Sequence, residues 1–142
     1  MAIDLRLDQW PYVLTKFDGE QSTAELDAYI KRMDAVHARR ERYVGISYLK
    51  SYSRDRVHVE RIARWIKETE AVTRECCMAA GMINASTGFR FVLSAIFLIK
   101  PMACPYHVTG TFDEAAVYVR RIASERGMQL PQAVNPWEEL PK

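Results

Sequence analysis

Apolar residues along this chain switch repeatedly between the alternation of a strand and the three-and-four spacing of a helix. Leu5, Leu7 and Gln9 alternate against Arg6 and Asp8 until Pro11 interrupts them, which predicts a weak strand over residues 5–10. Tyr12 to Phe17 is richer in aromatic and β-branched types and predicts a better one, which either ends at the Asp18-Gly19 turn or extends past a bulge into Glu20-Gln21. Ser22 and Glu25 then have the spacing of a capping box, with Leu26, Tyr29, Ile30, Met33 and Val36 following at helical intervals as far as the Arg39–Arg42 charges. Tyr43 to Leu49 is almost continuously apolar, as a strand covered on both faces should be. A second helix is predicted over residues 57–76, a strand of small residues over 78–84, and a third helix over 88–99 that Lys100-Pro101 stops. A short strand over 104–109 follows. Thr111 and Glu114 then open a last helix, which ends at Gly127.

Parallel strands need crossover connections, and single helices of ten to twenty residues are the usual ones. The alternation therefore predicts an α/β domain over residues 1–127, with a four- or five-stranded, mostly parallel sheet and about four helices. Whether residues 5–10 pair with the next strand as a hairpin stays open. Residues 128–142 hold three prolines and no periodicity and read as a tail, loose or draped, that only Trp137 and Leu140 could pin.

Composition narrows the class. In a chain of 142 residues, 49% hydrophobic and 27% charged content suits a globular domain with a real core. A net charge of +2 gives no electrostatic case for nucleic-acid binding. The start lacks the basic and apolar regions of a signal peptide, and the longest apolar run, Phe91 to Ile99, is too short to span a bilayer. Cys76, Cys77 and Cys104 lack metal-ligand spacing and read as reduced packing thiols in a cytoplasmic protein. His37, His58 and His107 lie on three different elements. No nucleophile elbow, phosphate-binding loop, dinucleotide fingerprint or zinc-protease motif is present, and no catalytic residue, metal or cofactor is expected.

Ala85-Ser86-Thr87-Gly88-Phe89 ahead of an apolar helix, the Ile99-Lys100-Pro101 stop and the Thr111–Ala115 helix start complete a pattern. With the order of elements, residues 5–126 resemble the STAS/SpoIIAA-like domains. More narrowly, they resemble stand-alone bacterial members that share a fold with the CRAL-TRIO lipid binders. The resemblance implies partner switching: docking on a regulatory protein, broken when a Ser or Thr at a helix start is phosphorylated. A phosphate there adds up to two negative charges and strong acceptors, beside a helix end that attracts anions. By local sequence the matching site is Ser86-Thr87, although Ala85 stands where the family pattern has Asp. By element order it is Ser51-Tyr52-Ser53.

Each candidate also has a plain structural role. Ser86 and Thr87 suit the N-cap of the third helix, and Ser53 suits that of the second. Arg90, in a first turn where the helix dipole disfavours cations, either reaches to solvent or holds an anion or a partner's carboxylate. The third helix is apolar nearly all round, more than one packing face requires. Phe89, Val92 or Leu93, and Phe97 are its candidate surplus, either covered by the tail or forming a patch of the kind that marks a dimer contact, a partner site or a lipid groove. The expectation is a non-enzymatic regulatory module that binds a protein partner or a second copy of itself through this helix and its N-terminal turn. The alternative is a CRAL-TRIO-like binder of a lipid or other small apolar ligand.

Overall fold

The computed structural model describes residues 2–51, 55–99 and 101–140. The first strand, β1 (Ile3–Arg6), pairs antiparallel with β2 (Tyr12–Phe17), with Ile3 opposite Phe17. The hairpin left open by the sequence therefore forms. β1 is earlier and shorter than residues 5–10, because Trp10 N and Tyr12 N donate to Leu7 O and Gln9 O and turn the chain at residues 7–12. Helix α1 (Thr23–Ala38) starts at the Ser22–Glu25 capping box, whose two halves both form. Glu25 does more than cap: its Oε2 accepts from Ala2 N at 2.8 Å, tying the start of the chain to the helix.

Strand β3 (Tyr43–Leu49) occupies the residues its pattern predicts. The long helix expected over 57–76 is instead two, α2 (Arg56–Glu68) and α3 (Glu70–Cys76), divided at Thr69. Thr69 Oγ1 donates back to Trp65 O at 2.9 Å and shares that carbonyl with Thr69 N, the kind of back-bond that bends a helix. A second correction concerns the cap of α2. Asp55, not Ser53, fills it, its carboxylate accepting from Val57 N and His58 N. Ser53 lies outside the described residues.

Strand β4 (Cys77–Ile83) leads into α4 (Thr87–Ile99), then β5 (Tyr106–Thr109) and α5 (Phe112–Glu125). The sheet is mixed and mostly parallel, in the order β1-β2-β3-β4-β5, and five helices surround it among the described residues. Because strand order follows sequence order, each crossover moves the chain one strand along in the same direction.

Side chains alternate between the two faces of the sheet. On one face Ile3, Leu5, Val13, Tyr43 and Cys77 pack against Leu26, Ile30, Met33 and Val36 of α1 and Trp65 of α2. On the other, Tyr12, Leu14, Val44, Ile46, Tyr48 and Ile83 pack against Phe112, Ala115 and Val119 of α5. α5 lies very close: a Cβ at Gly81 would come within 2.8 Å of the Ala115 Cβ. Residues 128–140 complete this second face. Trp137 and Leu140 are buried, with Trp137 against Tyr48 and Phe112. Gln9 exchanges a pair of hydrogen bonds with the Val134 backbone, and Tyr12 Oη donates to Pro131 O. Glu139 pairs with Lys16. The final segment is thus draped and pinned by the two residues that could do it.

Candidate functional site

The turn between β4 and α4 is built around Asn84. This buried side chain donates from Nδ2 to Leu49 O at the end of β3, while its Oδ1 accepts from Ser86 N at 2.8 Å. Its backbone N donates to Thr109 O on β5. One asparagine therefore holds the carboxyl ends of three neighbouring strands and sets the direction in which the chain leaves the sheet. Ser86 is the first cap of α4, accepting from Phe89 N at 3.2 Å, and both Ser86 and Thr87 are exposed.

Arg90 takes neither of its two expected positions in simple form. Its guanidinium folds back to donate to Asn84 O at 2.7 Å and to Thr87 Oγ1 at 3.1 Å. It lies over Gly110, where a Cβ would come within 2.9 Å of Nη1. The cation thus ties the first turn of α4 to the carbonyl end of β4 and lies against the β5–α5 connection. The other serine candidate, Ser51, donates to Asp18 Oδ1 at 3.2 Å beside the Lys50–Asp18 ion pair. It sits on the loop after β3, on a different element from Ser86 and Thr87.

Helix α4 lies against the edge strand β5, where Phe97 meets the Tyr106 ring edge-on at 4.9 Å. Phe89, Leu93 and Phe97, spaced four apart, are half-buried and form its inner stripe. The outer side differs from the expected patch. Phe91, Leu98 and Ile99 are 76, 82 and 88% exposed, with Val92 at 50% and exposed Ser94 and Ala95 between them. Of the candidate surplus, only Val92 belongs to this outer face. The missed residues were visible in the helical phase: once Phe89, Leu93 and Phe97 point inward, positions 91, 95 and 98 must point out. The segment from Phe91 to Ile99 holds no charged residue, and within α4 there is no acid in the first turn and no base in the last.

The thiols and histidines lie elsewhere. All three cysteines are free and buried. A hydrogen bond to Cys104, with burial, holds the Cys77 thiol well above its ordinary range, and burial does the same for the Tyr43 hydroxyl beside it. His37 is buried against Trp65 and bonded to Tyr43 Oη, while His58 meets Thr23 and His107 lies at a tilt beside the Tyr118 ring. Among the described residues no group of three or more His, Cys, Asp or Glu side chains is placed to hold a metal ion. Nor is any helix long and apolar enough there to cross a membrane. Scans of this chain against protein-family models, curated proteins and solved structures find no match.

Proposed function

We infer that this chain is an interaction module of the STAS/SpoIIAA-like kind, working by contact rather than catalysis, and that the outer face of α4 is its docking surface. The observation that carries the reading is the exposure of Phe91, Val92, Leu98 and Ile99 on one helix with no charge among them. Isolated apolar side chains on a surface are ordinary, but a contiguous patch of several large ones usually marks a contact. The support beneath it is firm. Asn84 and Arg90 fix the start of α4, and Phe89, Leu93 and Phe97 seat its inner side, so the outer face is presented in one orientation. The α/β class and mostly parallel sheet expected from the order of elements are present.

Native mass spectrometry of protein purified without detergent, alongside Phe91→Asp, tests this reading. The natural chain is expected to carry a polypeptide in fixed ratio, and the variant to lose it while keeping its far-UV spectrum. A bare monomer, or a complex indifferent to the substitution, would defeat the reading. A bound small apolar mass would favour the CRAL-TRIO-like alternative instead.

A further inference from the structure

We propose that Cys77 and Cys104 form a modification site, a dithiol that a hydroperoxide closes to a reversible disulfide between β4 and the chain entering β5. The proposal is independent of the docking reading above.

An irregularity in the sheet puts the two sulfurs together. Tyr43 pairs with Cys77, but Val44 pairs with Ala79, so Met78 is an extra residue in β4. A bulge of this kind re-aims the side chains beside it. In a regular strand Cys77 and Ala80, three apart, would face opposite sides of the sheet. With the bulge, Met78 and Ala79 both pack on the α5 side, while Cys77 and Ala80 both pack on the α1 side. Ala80 pairs with Tyr106 and its N–H donates to Pro105 O at 2.9 Å, which brings Cys104 alongside on the same face. Cys77 Sγ then lies within hydrogen-bond reach of Cys104, of Tyr43 Oη and of Ala79 O, the last at 3.4 Å. Neighbouring strands are about 4.8 Å apart, inside the range of about 4.4–6.8 Å between Cα atoms that a disulfide accepts. Cys76, adjacent in sequence, has Glu75 and Arg40 as its charged neighbours instead.

The two thiols have different tasks. The hydrogen bond from Cys77, and then the Arg126 guanidinium, hold the Cys104 thiol below its ordinary range against the effect of burial, while Cys77 is held well above it. The thiolate is the form that oxidants meet. Cys104 also lies next to the surface, since Pro105 is exposed and Met102 and Ala103 are half-buried. Its sulfur attacks the O–O bond of the hydroperoxide, and the departing alkoxide or hydroxide takes the thiol proton and leaves as alcohol or water. Cys104 is left as a sulfenic acid. The Cys77 sulfur displaces that hydroxyl: the S–S bond forms, the S–O bond breaks, and water leaves with the Cys77 proton. The two thiols lose two electrons and the peroxide bond gains them. The closed ring spans residues 77–104 and so ties both ends of the β4–α4–β5 crossover. A thiol reductant reopens it.

Hydrogen peroxide treatment of the folded natural chain, quenched by denaturation in iodoacetamide and read by intact mass and fragmentation of peptides, tests the proposal. The chain holds three cysteines, and untreated protein is expected to take up three alkyl groups. Treated protein should take up one, on Cys76, with a loss of about 2 Da in a peptide pair joining Cys77 to Cys104. Dithiothreitol should restore all three sites. In Cys77→Ala the sulfenic acid has no thiol to resolve it, so dimedone should trap it on Cys104. In Cys104→Ala neither a bridge nor a comparable adduct on Cys77 should form. Far-UV circular dichroism verifies the fold of both variants, and the measurement on the natural chain decides the bridge without them. Three alkyl groups after peroxide, or a bridge that uses Cys76 or joins two molecules, overturns the proposal. A dimedone adduct on Cys77 as abundant as that on Cys104 overturns it as well.

Discussion

His37 shows how much a single side chain's setting is decided by residues far from it. Its ring stacks on Trp65 at 5.8 Å, and Nε2 lies 3.3 Å from Tyr43 Oη. Burial disfavours the imidazolium and lowers the pKa, with Asp34 opposing and Arg40 assisting. The sign of the stability effect follows. Well above about pH 6.5, the ordinary histidine pKa, the ring is neutral in both states and stability is complete. As pH falls below that value the unfolded chain takes up the proton first, so stability declines until the folded pKa is also passed. The urea midpoint is therefore expected to fall between pH 7.5 and 5, a window above the carboxylates, and to fall less in His37→Phe. Identical slopes for the two proteins would remove His37 as the cause. At this scale the sequence was partly legible. Ser22 and Glu25 are three apart and make the local contact their spacing implies. Arg90 was visible as a misplaced cation, but its partners are a backbone carbonyl six residues back and a glycine twenty residues on, which only the folded sheet brings together. At the α2 cap stands Asp55, whose carboxylate accepts from two backbone N–H groups.

Among the elements, those with an unmixed pattern were read most nearly to the residue. Tyr12–Phe17 and Tyr43–Leu49 are strands with the predicted bounds, because both are covered on their two faces and their sequences carry little else. The helix over 57–76 was not, because its division at Thr69 leaves no gap in the apolar spacing. For α4 the apolar excess was legible and its direction was not. A helix apolar all round gives no internal sign of which stripe faces β5, and Phe97 on Tyr106 decides it. The contact between β4 and α5 offers a sharper test of element packing. Gly81→Ala places a methyl 2.8 Å from the Ala115 Cβ and 3.2 Å from its Cα, where no flexible side-chain end can yield. Overpacking of this kind should lower stability by about 1–3 kcal/mol in urea unfolding. Restoring the space with Ala115→Gly should recover part of it, despite the glycine's own cost in a helix. An unchanged midpoint for Gly81→Ala would show that α5 stands further from β4 than this close approach requires.

The whole molecule is a sheet wound in one direction and sealed on its second face by its own last segment. The alternation of strands and helices announced the α/β class; the packing of residues 128–140 did not follow from any periodicity. Its only signal was Trp137 and Leu140 among prolines, residues too apolar to be left in water. Trp137 touches Tyr48 and Phe112 and donates from Nε1 to Asp4 Oδ2 at 3.3 Å, joining the two ends of the described chain. Trp137→Ala should therefore remove about 3–5 kcal/mol, the loss typical of a buried aromatic truncated to alanine. A denaturant titration showing less than about 1 kcal/mol, the scale of an ordinary surface change, would mean the segment rests on the sheet without supporting it.

The Tyr12–Pro131 bond spans 119 positions of sequence, and the Gln9–Val134 pair spans 125. Closing loops of that length costs more chain entropy than joining neighbouring strands through single helices. Whatever leaves the seal open, as Trp137→Ala would, uncovers the rings of Tyr48 and Phe112, apolar surface through which crowded chains stick to one another.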